Sequence, residues 1–258
     1  MVCAASATVP SRPAPHTAAR MYTRSHTVRR ACRAQGVTMR PDPRALRASL
    51  SANFALLART VGLRVYLLAA VWGAGRLGTV ALAAHTIAAN LWSTLALALD
   101  ALAIAAQALV GHELGAGRTD AVRTVVTRMN WWGLGFGVVT GAGLAALSPV
   151  LAAVFTGDHA VGRELTPVLL VAALFQPVAG VVFVLDGVLI GAGDSVYLAW
   201  ASFACTAVFL AALALVLGAG LGLIWLWVAI GLFTVARLAA FWTRSRGTAW
   251  MRVGAQVG

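Results

Sequence analysis

The stretch Leu95–Arg123, LALALDALAIAAQALVGHELGAGRTDAVR, decides how the rest of the chain is read. From Leu95 to Val110 it is apolar except for Asp100 and Gln107; it then enters a Gly-rich loop, Gly111–Gly117, and a basic turn with Arg118 and Arg123. The apolar run extends back to Ala81. At about 1.5 Å per residue, Ala81–Val110 is about 45 Å long, more than the about 30 Å of a bilayer's hydrocarbon core. An acid inside such a segment is costly against lipid, so Asp100 is expected to face protein or water. A basic loop directly after the helix marks a cytoplasmic end.

Composition agrees. The 258 residues are 60% hydrophobic and 11% charged, against about 25% charge in soluble domains, and mean hydropathy is +0.83. Such a chain falls in the integral membrane class, with the lipid bilayer as its first partner. Net charge is +12, and all twenty basic residues are Arg. That charge would suit nucleic acid, but nine Arg precede residue 48 and most others fall in short loops, where topology needs them. No nucleic-acid partner is therefore expected. Cys3, Cys32 and Cys205 have neither disulfide nor metal spacing, and Cys205 reads as a small core residue. No phosphate-binding loop, metal-spaced cluster or nucleophile–His–acid pattern is found, so no cofactor and no enzyme is expected.

Outward from the decisive stretch, residues 1–48 are rich in Arg, Ser, Thr, Ala and Pro, with one acid, Asp42. They read as a basic disordered tail, or as sequence upstream of a later start at Met21 or Met39; in being Arg-rich and acid-poor they also resemble a transit peptide. Six apolar segments follow: Asn53–Gly75, Ala81–Val110, Asn130–Phe155, Leu165–Ile190, Tyr197–Leu217 and Leu221–Trp242. Each is long enough to span a bilayer. The third opens on Trp131 and Trp132, an interfacial belt, and carries glycines at 133, 135, 137, 141 and 143, which suggest close helix–helix contact. The prediction is an all-α integral membrane protein, a six-transmembrane-helix bundle over 49–245, with a cytoplasmic tail over 246–258. Arg is concentrated in the leader, the Arg118–Arg123 loop and the tail with Arg244, Arg246 and Arg252, which puts both termini in the cytoplasm and the chain in the inner (plasma) membrane.

Asp100 and Asp186 are the candidate ion or proton-coupling residues. They sit about 15 Å and about 7–8 Å above the cytoplasmic helix ends. A buried carboxylate can exchange a proton near neutral pH; the other reading is a structural ion pair or an acid capped in a helix break. Arg59 and Arg64 are the available counter-ions. Counted from the turn near Leu77, Arg59 and Asp100 differ in depth by about 7–8 Å and Arg64 and Asp100 by about 15 Å. Arg59 is therefore the expected partner of Asp100, with snorkelling to the headgroups as its alternative. His85, Asn90 and Gln107 share a helix with Asp100, Gln107 lies on its face, and interhelical hydrogen bonds are expected of all three. Glu113 and Asp120 are expected to be solvated, and Asp194 to serve a turn or helix N-cap.

These residues resemble the multidrug and toxic compound extrusion (MATE) family, in its DinF-like branch. The resemblance rests on RTVGLR (59–64), GRLGTVALAAHTIAANLW (75–92), LALDALAIAAQALVGHELGAG (97–117) and FQPVAGVVFVLDGVLIGAGDS (175–195), in order over about residues 50–250. It implies one six-helix lobe of a twelve-helix antiporter that exports drugs or other organic cations against a proton or sodium gradient. The chain is similar to the C-terminal lobe, so its implied partners are a small organic, often cationic solute and either an N-terminal lobe or a second copy. The family's coupling acid in the N-terminal lobe has no counterpart here. A non-transporting membrane remnant or interaction protein is the alternative.

Overall fold

The computed structural model describes residues 43–251. The expected basic leader lies almost wholly outside the described residues, as do the last seven of the tail. The described residues form six helices: α1 (Pro43–Arg76), α2 (Thr79–Gly115), α3 (Thr119–Phe155), α4 (His159–Gly191), α5 (Ser195–Gly218) and α6 (Leu223–Arg246). All six are long and apolar enough to cross a membrane. The six expected segments are these helices, but several ends move outward. α1 begins at Pro43, inside the expected leader; proline suits a first turn, where its missing N–H is not needed. α2 runs through Gly111 to Gly115, so the expected Gly-rich loop shrinks to a turn. α4 starts at His159, where the Asp158 side chain accepts from Ala160 N–H at 2.7 Å.

α2 and α4 stop in the same way because they end on the same letters, Gly-Ala-Gly. Gly117 (φ 74) and Gly193 (φ 75) take the left-handed conformation. The next residue's N–H then reaches back, Arg118 N to Glu113 O and Asp194 N to Leu189 O, both at 3.0 Å, satisfying carbonyls the helix leaves open.

α4 is the centre of the bundle, packed by α2, α3, α5 and α6. Its faces toward α3 and α2 approach so closely that side chains are excluded. Gly133, Gly137 and Gly141 recur every four residues on α3. A Cβ at these positions would lie 2.6 Å from Gly180 O, 2.5 Å from Gln176 O and 2.7 Å from Ala173 O, respectively. Gly135 and Gly143, also expected at a contact, face open space. Against α2, a Cβ at Gly191 would lie 2.5 Å from Gln107 O. In lipid, where helices gain little from the hydrophobic effect, such close backbone packing is the main attraction available.

α1 is held differently. Thr206 Oγ1 of α5 donates to Gly62 O at 3.1 Å, and Tyr66 stacks on Phe233 of α6 with centroids 4.1 Å apart. Cys205 is buried in this core, as expected. Large apolar side chains such as Leu68, Val139, Leu174 and Leu215 point outward, an unusual surface for water and an ordinary one for lipid. Trp131 and Trp132 are exposed, consistent with a belt. Past Arg246 the chain packs rather than trails: Trp250 is buried and its indole N–H donates to Ser245 O and Gly247 O.

Candidate functional site: an acid between two arginines and a polar stripe

Asp186 lies on α4, the helix with the longest run of buried residues. Its Oδ2 accepts from Arg59 Nη2 of α1 and stands 3.6 Å from Arg237 Nη2 of α6. Both Asp186 and Arg237 are 8% exposed. The Arg237 guanidinium lies over the rings of Phe233 and Phe241, 5.8 and 5.2 Å from their centroids. The triad thus joins the first, fourth and sixth helices. It is also incompletely satisfied: among the described residues, Asp186 Oδ1, Arg59 Nε and Arg237 Nε have no hydrogen-bond partner.

The expected Arg59–Asp100 pair is not formed; Arg59 pairs with Asp186 instead. Rotation about α2 decides the matter. Leu99 turns into the core at 1% exposure, so its neighbour Asp100 faces outward and is exposed.

Asp100 is not alone on that face. Thr86, Asn90, Ser93, Leu97, Asp100, Ile104 and Gln107 alternate in steps of four and three, and every one is exposed. Steps averaging 3.5 keep one side of a helix. Five of the seven are polar, over about 32 Å of helix. The buried side of the same helix is Ala81, Ala84, Ala88, Leu99, Ala106 and Val110, with His85. A membrane helix with one polar side must turn it to water or to other protein, because lipid can satisfy none of these groups.

The remaining expected residues divide. Arg64 is exposed on α1 and has no partner among the described residues. Asn90 and Gln107 are exposed and make no interhelical side-chain hydrogen bond among the described residues. His85 is buried against the Trp227 ring at 5.7 Å with its Nδ1 unpartnered. So the interhelical bonds expected of these three do not form, because α2's polar side faces away from the bundle and His85 meets an aromatic ring. Glu113, expected to be solvated, accepts from Arg118 Nε at 2.7 Å. Asp194 stands at the turn and N-cap of α5, as expected, but its side chain makes no cap bond; it accepts from Arg244 Nε at 2.7 Å, and Arg244 lies over Tyr197 at 4.8 Å.

Two parts of the site escape a reading of the sequence by acids and their nearest bases. Arg237 was detectable as an isolated cation in an apolar run, TVARLAAF. The stripe was detectable as Thr86, Ser93, Asp100 and Gln107 at intervals of seven.

Six membrane-crossing helices that share charges between them define a multi-pass membrane protein. The family model described as MatE matches residues 60–216, and the chain belongs to that family. Among curated relatives, Protein DETOXIFICATION 45, chloroplastic, of Arabidopsis thaliana is 33% identical over 193 residues, 73% of this chain and 34% of its own. Protein DETOXIFICATION 43 of the same plant is 33% identical over 186 residues, 70% of this chain and 34% of its own. The chain therefore spans about a third of the length of these relatives. Among solved structures, a MATE crystallised with MaL6 superposes with a TM-score of 0.74 at 16% identity, over 83% of this chain and 50% of that one. A MOP superfamily transporter from Pyrococcus furiosus, described as having a binding pocket of reverse polarity, gives 0.70 at 14% identity, over 80% and 45%. The fold is that of half a MATE transporter, and the family is one of transporters rather than enzymes.

Proposed function

We propose that the chain is one lobe of an ion-coupled antiporter, of the DinF-like branch, that moves small organic compounds along a cleft walled by the polar side of α2. The observation that carries this reading is the exposed stripe Thr86–Gln107 with Asp100 within it. Of the two candidate acids, Asp100 is the one free to take up a coupling ion. Asp186 is occupied by two guanidiniums, which would repel a cation. A proton is the coupling ion that a single accessible carboxylate supports best. The resemblance to the family implies drugs or other organic cations as cargo, and Asp100 suits a cationic group.

A cleft needs a second wall, so a partner lobe or a second copy completes the transporter. Proteoliposomes holding the chain with a six-helix lobe of a family member should export a fluorescent solute when a proton gradient is imposed, and those holding the chain alone should not. Export by the chain alone would favour a self-complementing pair; no export in either case would leave a non-transporting remnant.

The Arg asymmetry supports the inner (plasma) membrane with both termini cytoplasmic. An organelle membrane is the second reading, favoured by relatives named chloroplastic and by the Arg-rich, acid-poor first 48 residues. The destination of a fluorescent protein carrying residues 1–48 separates the two.

A further inference from the structure

At the end of the bundle opposite the Arg118–Arg123 loop, the α3–α4 hairpin forms a cavity of about 680 Å³. Ligand sites are commonly about 300–1,000 Å³. Only α3, α4 and the turn between them line it. Its floor is apolar, with Pro149, Ala152 and Pro167, and its mouth holds Thr156, Asp158 and Arg163.

The depth of the cavity follows from the tryptophan belt. Trp131 and Trp132, exposed on α3, mark one edge of the hydrocarbon core. A core of about 30 Å takes about twenty residues of helix, which brings α3 to Ala152. The floor therefore lies at the second hydrocarbon edge, and the mouth lies in the headgroup layer. Toward the core the two walls differ in size. On α3 the exposed row is Ala142, Ala146, Pro149 and Ala153, all small, in steps of four and three. On α4 the row beyond Pro167 is Leu170 and Leu174, both exposed and large. Each row keeps one helix side, and Pro149 and Pro167 line the same cavity, so the rows run together. Small against large leaves a seam that continues about 10 Å into the hydrocarbon.

The mouth carries two opposite charges that are not used up. Asp158 Oδ1 caps α4 by accepting from Ala160 N–H, and its Oδ2 has no partner among the described residues. Arg163 is exposed and has no partner among them either. The two do not pair with each other. Side chains on a helix tilt toward its N-terminus, so Arg163 leans back to the level of Asp158. A guanidinium offers a bidentate fork to a phosphate, and a free carboxylate oxygen accepts from an ammonium that carries N–H groups.

We propose that this cavity binds a phospholipid with a phosphoethanolamine headgroup. The phosphate meets Arg163, the ammonium meets Asp158, the glycerol sits on the proline-lined floor, and one acyl chain follows the seam. No residue of α2 lines the cavity, so the proposal stands apart from the transporter reading.

The full chain, purified in detergent, is titrated with phosphatidylethanolamine, phosphatidylcholine or phosphatidylglycerol in mixed micelles, and the lipid-bound fraction is read by native mass spectrometry. The wild type should hold phosphatidylethanolamine most tightly. Asp158→Asn keeps the helix cap, since Asn caps as well as Asp. It should weaken phosphatidylethanolamine about tenfold, to the level of phosphatidylcholine, whose quaternary ammonium has no N–H to lose. Arg163→Gln should weaken all three lipids about tenfold, through their common phosphate. Ala153→Trp, which fills the cavity from an exposed position, should lower binding of all three without preventing recovery of the protein. Arg76→Gln, at the same end of the bundle but outside the cavity, should change nothing. No bound lipid, equal affinity of the wild type for all three, or a preference for phosphatidylethanolamine that survives both Asp158→Asn and Arg163→Gln would overturn the proposal. Phosphatidylglycerol held more tightly than phosphatidylethanolamine, and lost in Arg163→Gln, would make this a plain phosphate site and overturn the headgroup assignment.

Discussion

Asp186 and Asp100 each follow a leucine on an apolar helix, yet one is clamped between guanidiniums from two other helices while the other lies open on a polar stripe. The difference lies in the helices that carry them. α4 is surrounded, with glycines at its contacts with α2 and α3, so any polar group on it must be satisfied from within the bundle. α2 packs by one side only, so its other side can hold groups that the bundle does not answer. A buried acid with two cations is a joint between helices. An open acid among amides and hydroxyls is available to a solute or an ion. Changes along the α4 contacts should therefore cost stability, and changes along the α2 stripe should cost function.

The largest effect is expected at the α3–α4 contact. Gly137 has Gln176 O and Pro177 Cα where a side chain would go, at 2.5 and 2.7 Å from a Cβ. Gly137→Leu has no flexible neighbour to displace and should prevent recovery of a monodisperse protein from detergent. Gly135→Leu, two residues away and facing open space, should be recovered normally. Failure of both alike would remove the argument that backbone contact, rather than glycine as such, holds α3 to α4.

Next is the triad. Asp186→Leu leaves the buried Arg237 and the part-buried Arg59 without their shared acid and should cost about 3 kcal/mol, seen as a lower thermal midpoint. Replacing all three members by Leu removes the unpaired charges and should restore much of the loss. If the triple change is no better than Asp186→Leu alone, the triad is more than a joint, and its role in transport must be reopened.

A smaller effect is expected where α5 meets α1. Thr206→Val removes the hydroxyl that donates to Gly62 O with little change of shape, and should cost about 0.6 kcal/mol. A loss as large as that of Asp186→Leu would mean that this bond, not the triad, fixes α1 in place.

The helix count was legible in the sequence, because apolar length is a property of one helix at a time; the glycines of the third segment announced a close contact but not which of them make it, since Gly135 and Gly143 face open space. The partners of the charges were not legible. Arg59, Asp100 and Asp186 could be placed by depth from the turns, since rise per residue is fixed, but depth leaves the rotation of each helix open. That rotation gave Arg59 to Asp186. It also turned Asn90 and Gln107 away from the bundle, and it set His85 against Trp227. The folding back of Trp250 had no periodic signal at all, since it follows the last helix. Arg237 was legible as an isolated cation, but its value shows only when three helices are seen to converge on Asp186.

The smallest effect on stability, and the most informative for function, is expected at Asp100. Asp100→Asn keeps the shape and hydrogen-bonding capacity of an exposed side chain and removes only its titration. The thermal midpoint should stay within error of the wild type, because no partner side chain is left unanswered when Asp100 loses its charge: Arg59 and Arg237 keep Asp186. With a partner lobe supplied, proton-driven export should fall while binding of an uncharged solute persists, since binding does not need the proton and coupling does. Asp100→Glu, which titrates, should retain part of the export. If instead Asp100→Asn lowers the midpoint as Asp186→Leu does, then Asp100 is a second joint, Arg59 is shared between both acids, and the division between a clamped acid and an open one fails. If it changes neither midpoint nor export, the polar stripe walls the cleft without carrying the coupling ion, and the search for that ion's site moves to the partner lobe.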